Sequence, residues 1–142
     1  MKMRVWTLGL LLLGLMACET APPVTEADRV RGYNESPNAV FTALLRTCHA
    51  MDIEIVAADR ESGFLVGRMN IGGEAIFAAL TGEVHTVFRT YRVNIFPKAD
   101  GHSRVEVRIT SGLEDGRNTS ESNYYDYQWF WQKLLEQLRA EQ

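Results

Sequence analysis

The most constraining feature of the sequence is the segment at residues 103–110, in which polar and apolar residues alternate strictly from Arg104 onward. Valine or isoleucine occupies every second position, and the residues between them are Arg104, Glu106, Arg108 and Thr110. Successive side chains of a β-strand point to opposite faces, so this pattern predicts a strand with one buried and one exposed face. Such a strand is typical of an antiparallel sheet that is covered on one side only.

A second long strand is predicted over residues 86–96, just before a turn at 97–101. Its inner-face residues are expected to be Val87, Tyr91, Val93 and Ile95. The inner faces of the two strands coincide only if the numbers of paired residues have an even sum. A sum of 200 places Arg92 opposite Arg108, which is unfavourable, whereas a sum of 198 places Arg92 opposite Glu106. The pattern therefore predicts that the numbers of paired residues sum to 198.

Shorter strands are predicted elsewhere in the chain. Residues 53–56 alternate weakly and residues 64–66 are continuously apolar. A turn that ends in glycine separates the two segments, which favours a hairpin. Residues 30–33 suit a short first strand. Residues 70–73 are expected to break the strand before them, and residues 74–80 (EAIFAAL) suit a short helix.

Two amphipathic helices flank these strands, over residues 37–51 and 122–140. Ser36 and Ser122 are the expected N-caps, and Pro37 suits the first helical position. At 100° per residue, one side of the first helix collects Val40, Phe41, Leu44, Leu45, Cys48 and Met51. One side of the last helix collects Tyr124, Tyr127, Phe130, Trp131, Leu134, Leu135 and Leu138.

The first eighteen residues have the parts of a secretory signal. Lys2 and Arg4 precede an apolar run at residues 8–16, which is too short to span a bilayer. The sequence Leu-Met-Ala-Cys at 15–18 resembles the lipobox of bacterial lipoproteins. That resemblance implies removal of residues 1–17 and attachment of lipid to Cys18, where several acyl chains make a stable anchor. The alternative is an ordinary cleaved signal followed by an incidental cysteine.

The same interpretation divides the rest of the chain into a lipidated tether at 18–27 and one periplasmic domain at 28–142. Glu19 after the cysteine resembles the sorting pattern for the outer membrane, with the inner membrane as the alternative. Lipidation leaves Cys48 without an intramolecular partner in an oxidising compartment. Its place on the apolar side of a helix predicts that it is buried.

Together these elements predict an α+β fold of order β-α-β-β-β-β-α, with an antiparallel sheet of about four to five strands and two helices on one face. Element order over residues 28–140 and the segment DRESGFLV at 59–66 resemble helix-grip domains. Such domains occur in the lipoprotein subunit of the outer-membrane β-barrel assembly machinery and in similar small periplasmic lipoproteins. The resemblance carries no catalytic residues and implies fold and compartment only.

No residue pattern predicts catalysis, a metal or a cofactor. A nucleophile elbow and a phosphate-binding loop are both missing, and His49, His85 and His102 lack metal-ligand spacing. The net charge of −3 becomes −5 once Lys2 and Arg4 leave with the signal, which argues against nucleic-acid binding. A carboxylate pair assembled across strands, acting on envelope glycans, is the remaining enzymatic alternative.

Two surfaces are candidates for binding. Tyr125, Trp129 and Lys133 project from the polar side of the last helix and suit a protein partner. The alternative is local: Tyr125 and Trp129 form an i,i+4 aromatic pair, with Lys133 over the Trp129 ring, which stabilises the helix itself by a few tenths of a kcal/mol. Arg92, Arg104 and Arg108 share the outward sheet face and suit an anionic ligand, unless they are simply solvated.

The leading hypothesis is a non-enzymatic, membrane-anchored lipoprotein that acts as a protein-interaction or assembly module of the cell envelope. It would contact the membrane through Cys18 and an envelope protein through the last helix or residues 70–83. The second hypothesis is a small-molecule or lipid-binding domain in which residues 74–80 cover a cavity. A glycan-active enzyme is the third.

Overall fold

The computed structural model describes residues 20–72, 86–113, 116 and 119–140. In this part of the chain the elements are α1 (Glu26–Arg29), β1 (Val30–Tyr33), α2 (Pro37–Ala50), β2 (Glu54–Asp59), β3 (Phe64–Gly72), β4 (Val87–Pro97), β5 (Ser103–Leu113), β6 (Ser120–Glu121) and α3 (Tyr124–Arg139). The predicted α+β class is confirmed. Cys18 and the predicted helix at 74–80 lie outside the described residues.

The sheet has six strands within the described residues, and every pairing is antiparallel. Five strands follow the order β1-β5-β4-β3-β2, and β6 pairs with β5 on the same edge as β1. The sequence predicted four to five strands and missed β6, which has only two residues. It also assigned Glu26 and Ala27 to an extended tether, whereas both belong to α1.

The core lies between α2, α3 and one face of the sheet, so the prediction of two helices on one face is confirmed. Its largest fully buried side chains are Tyr91, Tyr127, Phe130, Leu44, Leu65, Ile109, Leu134, Val40, Val93, Val105, Val107 and Thr47. Cys48 is buried, as predicted. The prediction for Leu135 is wrong, because this side chain is 38% exposed at the edge of the apolar stripe of α3.

The two long helices begin at polar caps. Ser36 caps α2 as predicted, with its side chain accepting a hydrogen bond from a backbone N–H. The predicted cap of the last helix is wrong, because Asn123 caps α3 by accepting from the N–H of Asp126 over 3.2 Å. Ser122 is instead buried, and its hydroxyl hydrogen-bonds to that of Ser111 over 2.9 Å. Because the Ser122 side chain is bound to β5, it does not cap the helix.

The hairpin of β2 and β3 and the short strand β1 are confirmed. The predicted strand break after residue 69 is wrong. Asn70 still pairs with Phe88, and Gly72 pairs with Val87 after a register shift. The side-chain oxygen of Asn70 accepts a hydrogen bond from the N–H of Gly72 over 2.8 Å, so the irregularity is absorbed inside the strand.

The register of β4 and β5 differs from the prediction. Paired residue numbers sum to 200, so Arg92 lies opposite Arg108 and Asn94 lies opposite Glu106. The predicted sum of 198 is therefore wrong. Both sums bury the same alternate residues, which is why the inner face was predicted correctly although the pairing was not.

The turn at residues 98–102 accounts for this register. The N–H of Lys98 donates to the carbonyl of His102 over 2.9 Å, and the N–H of Gly101 donates to the carbonyl of Lys98 over 3.1 Å. Gly101 has φ of 80°, which glycine adopts without steric cost. A cross-strand charge pair contributes only about 0.2–1 kcal/mol, so an unstrained turn with two satisfied hydrogen bonds outweighs it.

Candidate functional site

Tyr125, Trp129 and Lys133 form one exposed surface on α3, which we call the aromatic surface. Tyr125 is 57% exposed and Trp129 is 40% exposed. The Lys133 ammonium donates to a Glu136 carboxylate oxygen over 2.7 Å. The Tyr125 ring meets Tyr124 edge-on with 5.6 Å between centroids. The cation–π contacts of the described residues do not include one between Lys133 and Trp129.

The aromatic surface is exposed because of the way α3 packs. The buried residues of this helix are Tyr127, Phe130, Trp131, Leu134 and Leu138, all on the side that faces the sheet. Residues 125 and 129 lie on the opposite side of the helix and cannot reach the core. The helix backbone at these two positions is nevertheless fixed, because the buried residues of the same helical turns pack against the core. The aromatic surface is thus rigid without contributing to the core.

The N-terminal helix α1 lies beside α3. The indole N–H of Trp131 donates to the carbonyl of Asp28 over 2.6 Å, and the Gln128 amide donates to the Asp28 carboxylate over 3.3 Å. The Arg31 guanidinium lies 5.8 Å from the centroid of the Trp131 ring. These contacts place the start of the described chain on the helix side of the sheet.

A polar network closes the edge of β5 between β1 and β6. Arg29 donates two hydrogen bonds to the carboxylate of Glu121, over 2.8 and 2.6 Å. The hydroxyl of Tyr127 donates to the same carboxylate over 2.7 Å and accepts from the N–H of Ile109 over 3.0 Å. Hydrogen bonding from Arg29 holds the pKa of Glu121 below its ordinary value. The network ties α1, β6 and α3 to the sheet.

The outer sheet face is the side of β3, β4 and β5 that the helices leave uncovered, and the structure brings the three predicted arginines together on it. Arg92 and Arg108 are opposite each other on β4 and β5. The Arg104 guanidinium lies 3.7 Å from the Glu106 carboxylate and 5.6 Å from the centroid of the Phe96 ring. All three arginines are exposed.

Sequence reasoning missed a fourth arginine on this face. Arg68 pairs with Thr90, and its guanidinium lies 5.1 Å from the centroid of the Phe88 ring. The signal was present, because residues 64, 66 and 68 alternate with the buried positions 65 and 67. Only the first three residues of β3 were assigned to a strand, so the alternation was not followed far enough.

Arg89 is an arginine on the covered face, which the sequence analysis also missed. It forms an ion pair with Asp126 over 2.9 Å, and both side chains are mostly buried. Within the described part of the chain, the Arg89 Nε and the Tyr91 hydroxyl are buried without a hydrogen-bond partner. This pair attaches β4 to the first turn of α3, where a carboxylate suits the positive end of the helix dipole.

The described residues show little reactive chemistry. Burial raises the pKa of the Cys48 thiol to about 11. His49 is exposed, and His102 lies 3.1 Å from the Asp100 carboxylate. No three histidine, cysteine or acidic side chains of the described chain converge as metal ligands. No described helix combines the length and the apolar character needed to cross a bilayer.

Comparison with known proteins places the chain in no family. No protein-family model matches it, and no curated protein matches it. One solved structure with partial similarity is a DUF4468 family protein from Bacteroides ovatus ATCC 8483. The two are 13% identical, the match covers 78% of this chain and 67% of the other, and the TM-score is 0.33. Similarity at this level supports no conclusion about function.

Proposed function

We propose that the protein is a membrane-anchored lipoprotein of the bacterial cell envelope whose α+β domain is a protein-interaction module rather than an enzyme. The anchor is Cys18, at the end of a lipobox-like sequence that follows an apolar signal. Glu19 favours the periplasmic side of the outer membrane. The supporting structural observation is the aromatic surface of α3.

The aromatic surface has the composition of a binding site. Tryptophan and tyrosine dominate the energetics of protein interfaces because they bury a large apolar area at a low cost in side-chain entropy. Trp129 is 40% exposed, on the side of α3 opposite to the residues that pack in the core. The Lys133–Glu136 ion pair adds a polar rim of the kind that surrounds such anchors. A rigid helix also avoids the entropy cost of ordering a loop on binding.

The short tether restricts where a partner can be. Seven residues lie between Cys18 and Glu26, the first residue of α1, and the eight residue steps reach about 26 Å when fully extended. Because α1 is bonded to Trp131 on α3, the aromatic surface stays close to the anchoring membrane. The expected partner is therefore an envelope protein at that membrane.

Capture of envelope proteins tests the aromatic surface. Solubilised envelope is passed over the immobilised protein and its variants. Trp129→Ala should weaken capture of the partner by about 30-fold, the usual effect of losing a buried tryptophan anchor. Leu135→Ala is the matched control, because Leu135 is similarly exposed on α3 but lies outside the aromatic surface. Equal capture by Trp129→Ala and wild type would contradict the proposal.

Labelled palmitate tests the anchor independently. The wild-type chain should incorporate palmitate in bacteria and start at Cys18, whereas Cys18→Ala should incorporate none. A wild-type chain without label would remove the assignment to the envelope membrane. The other two hypotheses, a ligand-binding domain covered by residues 74–80 and a glycan-active enzyme, stay predictions.

A further inference from the structure

Arg92 and Arg108 are a pair of like charges in the middle of the outer sheet face. They are direct cross-strand partners on β4 and β5, and both are exposed. Neither side chain makes an ion pair or hydrogen bond with any residue that the structure describes. Like charges directly opposite each other destabilise a sheet. An anion between the two guanidinium groups would remove that repulsion and could accept several hydrogen bonds.

Further cations lie around the pair. Arg68 on β3 and Arg104 on β5 each hold a guanidinium beside a phenylalanine ring of the outer face, at 5.1 and 5.6 Å from the centroids of Phe88 and Phe96. The rings orient these guanidinium groups through cation–π attraction. The Lys98 ammonium lies beside Gly32 of β1.

Glu54 on β2 lies directly opposite Arg68, and two further acids near the pair are engaged by cations other than Arg92 and Arg108. Glu106 lies 3.7 Å from Arg104, and Glu121 is bound by Arg29 over 2.6 Å. Outward positions of the three central strands carry four arginines and one glutamate, in a chain whose net charge is −3. Basic charge is therefore concentrated on the three central strands of an acidic protein. Arg92 and Arg108 form no ion pair with a described residue, and Arg108 acts on Glu121 only through a weaker electrostatic attraction that helps to lower the pKa of that carboxyl.

From this arrangement we propose that the outer sheet face binds an anionic glycan, a polysaccharide chain carrying carboxylate groups, with Arg92 and Arg108 clamping one carboxylate. Arginine suits this role because its planar guanidinium binds a carboxylate through two parallel hydrogen bonds. Phe96, which is 43% exposed on the same face, offers apolar area to a sugar ring beside the Arg104 guanidinium. The spread of cations over three strands matches a chain with repeated charges.

A glycan fits better than a phospholipid surface because of where the chain starts. The helix α1, which directly precedes β1, lies on the helix side of the sheet, where the Asp28 carbonyl is bound to Trp131, so the outer sheet face is on the side opposite to the start of the domain. This choice of a glycan over a nucleic acid rests on the proposed envelope location. The basic site itself does not depend on that location.

Binding to defined polyanions tests the inference. The full-length chain in detergent is titrated calorimetrically with alginate oligosaccharide, with neutral dextran of equal length, with oligothymidylate and with phosphatidylglycerol vesicles. Alginate should bind and dextran should not. The double variant Arg92→Gln/Arg108→Gln should raise the Kd for alginate by about tenfold or more. The control Arg46→Gln/Arg139→Gln removes equal charge from the two helices and should change the Kd by less than about twofold.

A second variant separates binding from folding. Arg108→Glu places a carboxylate opposite Arg92, so its thermal unfolding midpoint should be at or above that of wild type while alginate binding is lost. Retained binding in this folded variant would overturn the proposal.

Three other results would also overturn it: no binding of alginate, equal weakening in the control, or tighter binding of oligothymidylate or vesicles through the same arginines. If alginate binds as expected but palmitate is not incorporated, the site stands and the proposed location falls.

Discussion

We expect Tyr127→Phe to destabilise the protein substantially and Tyr91→Phe to leave its stability unchanged or slightly increased. Both tyrosines are fully buried, at 0% exposure. The Tyr127 hydroxyl accepts from the N–H of Ile109 and donates to Glu121. Ile109 lies between the part of β5 that pairs with β1 and the part that pairs with β6. The Tyr127 hydroxyl therefore accepts the hydrogen bond that a neighbouring strand would otherwise accept from the N–H of Ile109. The Tyr91 hydroxyl has no hydrogen-bond partner among the residues that the structure describes.

The size of the effect follows from what each hydroxyl leaves behind. Without the Tyr127 hydroxyl, the Ile109 N–H is buried and unsatisfied, which costs about 1–3 kcal/mol. Glu121 is partly exposed and can take a water molecule instead, so its lost hydrogen bond adds little. The expected loss is about 2–3 kcal/mol of unfolding free energy, or a midpoint about 10 °C lower for a domain of this size. Removal of the unpaired Tyr91 hydroxyl should raise stability by less than about 1 kcal/mol.

Urea and thermal unfolding followed by far-ultraviolet circular dichroism measure both variants. The two substitutions remove the same atom from equally buried tyrosines, so packing changes largely cancel in the comparison. Equal losses of unfolding free energy in the two variants would refute the reasoning, because the hydrogen bonds of Tyr127 would then make no measurable contribution to stability.

Three further predictions concern stability and reactivity. Arg29 lowers the pKa of Glu121, so this carboxylate should contribute stability above about pH 4.5 that is lost as pH falls through its folded pKa; Glu121→Gln should flatten that acid limb in unfolding curves. Gly63→Ala should cost about 1–3 kcal/mol in urea unfolding, because Gly63 is buried at φ of 70° and an added Cβ would strike the carbonyl of Ile95. Cys48, whose thiol has its pKa raised to about 11, should resist N-ethylmaleimide at pH 7 until the protein is unfolded, and mass spectrometry would detect any earlier adduct.

Long periodic segments were predictable and short or turn-dependent features were not. The alternation at residues 103–110 identified β5 and its buried face, and helical spacing identified α2 and α3 to within two residues. The helix α1 has four residues and β6 has two, too few to show a period. Their existence depends on tertiary bonds such as Trp131 to Asp28, which join residues about a hundred positions apart.

The surfaces followed the same rule. The aromatic surface needed only the angular spacing of one helix, so its exposure was predictable. The basic outer face depends on the alignment of three strands, and the alignment was decided by the backbone of a five-residue turn rather than by side-chain charge. The prediction assumed that Arg92 would avoid Arg108, and the turn places them together.

The position of β1 has a consequence for how the chain reaches its final structure. Val30 pairs with Glu106, and the carbonyl of Asp28 accepts a hydrogen bond from Trp131. The first described elements of the sequence are therefore bonded to elements near its C-terminal end. A chain emerging from its N-terminus must therefore keep its opening segment unpaired until the C-terminal helix is available, and contacts of such sequence separation form slowly. In a nascent or truncated chain that ends before α3, α1 should not be held against the domain. Proteases should therefore cleave such a chain in its N-terminal segment.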